Sequence, residues 1–171
     1  MRLTTESKID PVTLRLTLNG AEVERIIEPR ELLLDFLRDR LGLKGAKRSC
    51  DMQVCGTCTV LLDGMPVSSC CTLAYEANNR SVTTIEGLTK NGALHTIQQA
   101  FLDKVAVQCG FCTSGMVLTV KSLLEQYPQP TSVQTKAYLD GNLCRCTGYW
   151  NIIEAVNQAA HTMASSDETQ T

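Results

Sequence analysis

Histidine is scarce in this sequence, and so are the marks of a nucleic-acid or membrane protein. Only two histidines, His95 and His161, occur among 171 residues, so a metal site would draw its ligands from other side chains. Positive charge is not in excess: sixteen Lys and Arg face eighteen Asp and Glu, a net charge of −2. Phosphate binding needs clustered basic charge, so no nucleic-acid partner is expected. No apolar run reaches the roughly 18 residues of a membrane span, so no transmembrane segment is expected either. The opening MRLTTESKID also lacks the apolar stretch of a secretory signal. With 43% hydrophobic residues, the expectation is a globular cytoplasmic chain of one domain or two small ones.

One residue type is abundant. Nine cysteines are many for a reducing compartment, where structural disulfides do not persist and thiols more often bind metal or carry redox chemistry. Sulfur without histidine points to a thiophilic metal, either zinc or iron–sulfur.

The pattern around the cysteines divides the chain. Val12 to Leu18 alternates apolar and polar, Asn19-Gly20 is a strong hairpin signal, and Ala21 to Ile27 returns as a second strand. Pro29 suits a helix start. Leu33, Leu34, Leu37 and Leu41 follow at helical spacing within Glu31 to Leu41, with Gly42 at the C-cap. A second hairpin turns at Asp63-Gly64, and Arg80 to Ile85 reads as another strand. Beyond Gly92 the period becomes helical: Leu94, Ile97, Phe101 and Val105, then Met116, Val120, Leu123, Leu124 and Tyr127. Pro128 and Pro130 end that second helix, Thr131 with Gln134 forms a capping box for a third, and Ile152, Ile153, Val156 and Ala160 mark a fourth. The fold expected is α+β. Residues 1–87 form a strand-rich domain, 88–165 a four-helix bundle and 166–171 a polar tail, with fraying from about Ala164.

The cysteines fall into two sets of four. Cys50, Cys55 and Cys58 follow the C-x4-C-x2-C spacing of plant-type [2Fe–2S] loops, and Cys70 comes eleven residues later. Cys109 and Cys112 form one pair at a helix junction, and Cys144 and Cys146 another. Each iron of a two-iron cluster is tetrahedral and holds two bridging sulfides, so four thiolates complete one cluster. Structural zinc also takes four cysteines, and spacing alone leaves it open. Cys71 is left over and reads as a small buried apolar residue, or as a ligand in place of Cys70. His95 and His161, on predicted helices, read as packing or surface residues. Lys44, Lys47 and Arg48 read as a solvated loop beside the first set, placed where a redox partner could meet it.

Four segments carry a family resemblance. Cys50-Asp51-Met52-Gln53-Val54-Cys55-Gly56-Thr57-Cys58-Thr59-Val60, the strand end Thr83-Thr84-Ile85-Glu86-Gly87, Gln108-Cys109-Gly110-Phe111-Cys112, and Gly141-Asn142-Leu143-Cys144-Arg145-Cys146-Thr147-Gly148-Tyr149 occur in that order. Together they resemble the iron–sulfur subunit of the molybdenum hydroxylases, the xanthine oxidase and aldehyde oxidoreductase family. The resemblance spans about residues 10 to 162. It implies a β-grasp ferredoxin-like domain followed by a four-helix bundle. By the same resemblance, Cys50, Cys55, Cys58 and Cys70 hold an outer [2Fe–2S] cluster facing a flavin. Cys109, Cys112, Cys144 and Cys146 hold an inner cluster near the pterin, and Gln108 and Cys146 contact that pterin. Molybdopterin, as the cytosine dinucleotide, and FAD are then expected on a large and a medium partner subunit, since 171 residues leave no room for either domain. The assembly implied is a dimer of heterotrimers. Electrons taken from a small substrate, an N-heteroaromatic compound or an aldehyde, would pass through both clusters to FAD.

The sequence departs from the family pattern at three places. Ser114 stands where proline is usual, a change expected to matter little, and Ser49 and Gln53 stand where glycine is preferred. A self-standing ferredoxin and a zinc-stabilised interaction module are the competing readings of another class.

Overall fold

The computed structural model describes residues 10–168, with side chains through residue 165. Strand β1 (Val12–Leu18) alternates as its sequence requires, burying Leu14, Leu16 and Leu18. Asn19 and Gly20, both at positive φ (52° and 85°), turn the chain into β2 (Ala21–Ile27). Asn19 does more than turn: its side chain donates to Thr84 Oγ1 (3.0 Å) and accepts from Thr84 N (2.8 Å), fixing a segment 65 residues away. Strands β3 (Thr59–Leu62), β4 (Met65–Ser68) and β5 (Ser81–Thr83) complete a mixed five-stranded sheet ordered β2-β1-β5-β3-β4. Only the β1–β5 pairing is parallel. The turn residue Asp63 accepts from Ser81 N (2.8 Å) and Arg80 Nε (2.6 Å), so this hairpin too is pinned to β5.

The expected helix from Glu31 to Leu41 is shorter and wider than its leucine spacing suggests. A short α1 (Leu33–Asp35) runs into a π-type turn at Phe36–Arg40, where Leu41 N donates to Phe36 O (3.2 Å). The wide turn brings Leu33, Leu34, Phe36 and Leu37 all to complete burial under the sheet. The strand expected over Arg80 to Ile85 also narrows to three residues, and Ile85–Gly87 forms a 3-10 turn.

Four helices follow: α2 (Thr96–Asp103), α3 (Thr113–Gln126), α4 (Ser132–Leu139) and α5 (Trp150–Glu168). The stripe expected for α2 fails at both ends. Leu94 and Val105 lie outside the helix and are exposed, Val105 at a strained φ of 53°, while Ile97 and Phe101 are buried. His95 is not on the helix but caps it, its Nδ1 accepting from Ile97 N (3.2 Å). The Thr131–Gln134 capping box of α4 forms as its spacing requires (Thr131 N to Gln134 Oε1, 2.8 Å). Helix α5 continues past Ala164 through Glu168, beyond the point where composition suggested fraying; residues 169–171 of the expected polar tail lie outside the described residues.

Helix α3 occupies the centre. Every residue from Ser114 to Leu124 except Lys121 is buried, as expected of a helix covered on all sides. All four residues of β3 are buried too: Val60 and Leu62 join the core over α1, while Leu61 joins the helical core around Met116 and Ile152. That alternation in β3 is the physical join between the two halves.

Candidate functional site

The first cysteine set lies on the irregular segment between the π-type turn and β3, closed by Cys70 after β4. Asp51, Gln53 and Gly56 all take left-handed backbone (φ 53°, 61° and 70°), which curls the segment so that its amides point inward. Val54 N and Cys55 N both donate to Cys50 Sγ (3.4 Å each). Hydrogen bonds from the Met52, Val54 and Cys55 amides pull the Cys50 thiol down to about 6, so the anion is the favoured form there. Cys58 is pushed up to about 12 by burial, which disfavours an uncompensated thiolate. The thiols act on one another's ionisation, Cys55 on Cys50 and buried Cys70 on buried Cys58.

The second set sits where helices begin and end. Cys109 and Cys112 bracket Gly110-Phe111 ahead of α3, and Cys144 and Cys146 lie between α4 and α5. Cys146 Sγ is 3.6 Å from Cys109 Sγ, and the Cys144 thiol acts on Cys112. Cys112 is pushed up to about 12, again by burial first, while the Phe111 amide lowers Cys109. The loop is braced by Tyr149, whose hydroxyl accepts from Cys144 N (2.9 Å) and donates to Asn142 O (3.2 Å). Among the described residues no three His, Cys, Asp or Glu side chains gather round one metal-ion position. Four thiols in each set match the donor count of a two-iron unit, in which each iron takes two thiolates.

The two sets are joined directly. Leu143 N donates to Cys55 O (3.0 Å), placing Cys144 one residue from a bond to the first loop. Asn142, buried, donates through Nδ2 to Gly56 O (3.1 Å) and accepts from Thr119 Oγ1 (2.8 Å). A Cβ at Gly115 of α3, or at Gly56, would fall inside backbone atoms of the opposing segment, so both positions need glycine for the approach. Sequence reading singled out neither Asn142 nor Thr119 as a link. Asn142 stands inside the Gly141–Tyr149 motif, but its partners lie 86 and 23 residues away.

Gln108, Cys109 and Cys146 are exposed, so the set expected to be inner opens at the surface of this chain, while Cys58 and Cys70 of the outer set are buried. Cys71 is exposed, not the buried apolar residue its extra place suggested, with its Sγ 3.6 Å from Cys70 Sγ. It follows Cys70 at the turn after β4, where Cys71 N donates to Ser68 O (2.9 Å) and Ser69 and Cys70 are buried while Cys71 is not. Exposed apolar side chains stand in or beside the cysteine loops: Met52, Val54, Phe111, Leu143 and Trp150.

Residues 16–83 match the family described as the 2Fe-2S iron-sulfur cluster binding domain, and residues 84–157 the [2Fe-2S] binding domain. This is therefore an iron–sulfur protein of two [2Fe–2S] domains. The chain is 43% identical to the nicotinate dehydrogenase small FeS subunit of Eubacterium barkeri, over 92% of this chain and 100% of that one. It is 46% identical to the 6-hydroxypseudooxynicotine dehydrogenase complex subunit beta of Paenarthrobacter nicotinovorans, over 90% and 97%. In structure it superposes on a chain of quinoline 2-oxidoreductase from Pseudomonas putida 86 with a TM-score of 0.86 and 41% identity, covering 91% of this chain and 97% of that one. The chain belongs to the iron–sulfur subunits of the xanthine oxidase family of molybdenum hydroxylases, and is an electron-transfer subunit of an oxidoreductase. Among the described residues no helix is long and apolar enough to cross a membrane.

Proposed function

We propose that this chain relays electrons, one at a time, from a molybdopterin centre on a large partner subunit to FAD on a medium one. Cys50, Cys55, Cys58 and Cys70 hold the outer [2Fe–2S] cluster, and Cys109, Cys112, Cys144 and Cys146 the inner. The observation that carries this is two sets of four thiols, with Cys146 Sγ 3.6 Å from Cys109 Sγ, on segments joined by the Leu143–Cys55 hydrogen bond. A [2Fe–2S] cluster bound at each set supplies reversible one-electron redox chemistry. The residues around it do the rest. Amides of the first loop stabilise the Cys50 thiolate, Thr57 and Thr147 hydroxyls contact Cys55 and Cys144, and burial of Cys58 and Cys70 keeps water away.

Gln108 and Cys146 face the pterin, taken to be the molybdopterin cytosine dinucleotide. Their exposure supports this, because a cluster ligand left in water needs a partner to cover it. Exposed apolar residues at the loops argue the same way and against a self-standing ferredoxin, whose docking faces are polar and transient. The domain division is 1–87, 88–165 as a four-helix bundle, and 166–171; the assembly is a cytoplasmic dimer of heterotrimers. The substrate is a small N-heteroaromatic compound, since nicotinate and quinoline, named for the relatives, share that chemistry. Iron and acid-labile sulfide assays with EPR of the reduced complex test the reading. Four irons, four sulfides, two rhombic signals and co-purifying molybdenum and flavin are expected. Zinc without sulfide refutes it.

A further inference from the structure

Lys47 lies between the two cysteine loops, and its backbone and side chain serve different ones. Its N–H donates to Thr57 O (2.9 Å) and its carbonyl accepts from Thr57 Oγ1 (3.1 Å), between Cys55 and Cys58. The side chain runs to the other loop. Nζ donates to Gly45 O (3.1 Å) and Ser114 Oγ (3.2 Å) and stands 5.8 Å from the ring centre of Phe111, between Cys109 and Cys112. Ser114, buried two residues past Cys112, also donates to Gly45 O (2.6 Å). This node closes one wall of a cavity of about 380 Å³ bounded by Ile85, Phe101, Gly110 and Val117.

The ammonium is poorly compensated. No carboxylate comes within ion-pair distance of it among the described residues, and Glu86, the carboxylate that acts on it, has Oε1 accepting from Gly45 N (2.8 Å). Burial, then Arg38, lowers the Lys47 amine, while Glu86 and the Cys112 and Cys109 thiols oppose that shift. A half-buried cation beside a sulfur-rich site is felt most where negative charge increases. Four thiolates and two sulfides against two ferric ions leave such a site anionic, and reduction adds one more electron.

We propose that Lys47 is a positioning charge that raises the reduction potential of the inner site selectively, and that the Ser114 hydroxyl holds it there. The inference rests on the cluster assignment above. It also gives the departure at Ser114 a role, because the proline usual in the family can neither accept from Nζ nor donate to Gly45 O. Proline is tolerated in the first turn of a helix, so Ser114→Pro leaves the fold of α3 intact.

The test is a dithionite redox titration of the iron-loaded full chain in its complex, followed by EPR. The inner signal is assigned as the one lost in Cys109→Ser. Lys47→Gln is expected to lower the inner reduction equilibrium on the order of three- to tenfold, tenfold being 59 mV for one electron. Lys47→Arg keeps the charge and stays within about twofold of the parent. Ser114→Pro shifts the inner signal in the same direction by less, and the outer signal does not move in any variant. Equal shifts for Lys47→Gln and Lys47→Arg, equal shifts of both signals, or none, overturn the proposal. Should Lys47→Gln fail to load iron, the Ser114→Pro comparison decides alone. A parent lacking two signals refutes the cluster assignment instead, which keeps the two failures apart.

Discussion

Gly115→Ala isolates the close approach between α3 and the first cysteine loop. In an open helix the change gains about 1 kcal/mol, because alanine is the better helix former. Here a Cβ would sit closer to Gly56 O than the 3.0 Å that real Cβ atoms respect, and the obstacle is backbone, which no rotamer change removes. Relief requires moving the 55–57 loop away from α3 and from the 141–143 segment. That strains Asn142 Nδ2 to Gly56 O and Leu143 N to Cys55 O together. Two such bonds at about 1 kcal/mol each, plus about 1 kcal/mol of overpacking, outweigh the helical gain. The net loss is about 2 kcal/mol, roughly thirtyfold in an equilibrium. Gly141→Ala is the control: its Cβ position is open and its φ lies outside the left-handed region, so an effect within about 0.5 kcal/mol is expected. Bound clusters make unfolding irreversible, so the assay is the bleaching rate of the visible absorption at fixed guanidinium. Bleaching of Gly115→Ala up to about thirtyfold faster than Gly141→Ala is expected. A Gly115→Ala chain that bleaches no faster than the control refutes the argument that the two segments touch.

Three other outcomes follow from the same geometry. Cys70→Ser should cost the outer EPR signal and half the iron, whereas Cys71→Ser, changing an exposed thiol, should keep both signals; the reverse would make Cys71 the ligand. Gln53→Gly should slow bleaching of the outer cluster by a few-fold, because a left-handed L-residue costs about 1–2 kcal/mol, of which glycine's extra chain entropy returns only part. His95 is held below its ordinary value, by burial first and then by Lys121. Its unfolded form takes up a proton before its folded form, so stability is full above about pH 6.5 and falls as pH drops toward the lower folded value. His95→Asn keeps a capping oxygen without a titrating ring, and denaturation midpoints at pH 5 and pH 7.5 should differ less in that variant than in the parent.

What the sequence settled by itself was local. Asn19-Gly20 made a hairpin because both residues tolerate positive φ, and Thr131 with Gln134 capped α4 because the two side chains reach each other's amides within one turn. The cysteine spacings and four ordered motifs were enough to place the chain in its family. Local pattern failed where the deciding contact was distant. The leucines after Pro29 promised a regular helix, but burying Phe36 alongside them required a wider turn. Leu94 and Val105 kept a helical period outside any helix, because His95 already supplied the cap and the chain turned at Val105. Cys71 looked like spare core and proved exposed, since the turn after β4 buries Ser69 and Cys70 and leaves the next residue outside. The inter-loop links belonged wholly to tertiary structure. Asn142 to Gly56, Leu143 to Cys55 and Lys47 to Ser114 join residues 67 to 88 positions apart. No periodicity records such a pairing. It exists because Leu61 turns one face of β3 into the helical core and Gly115 lets α3 press against the first loop, and together they set the two cysteine sets side by side.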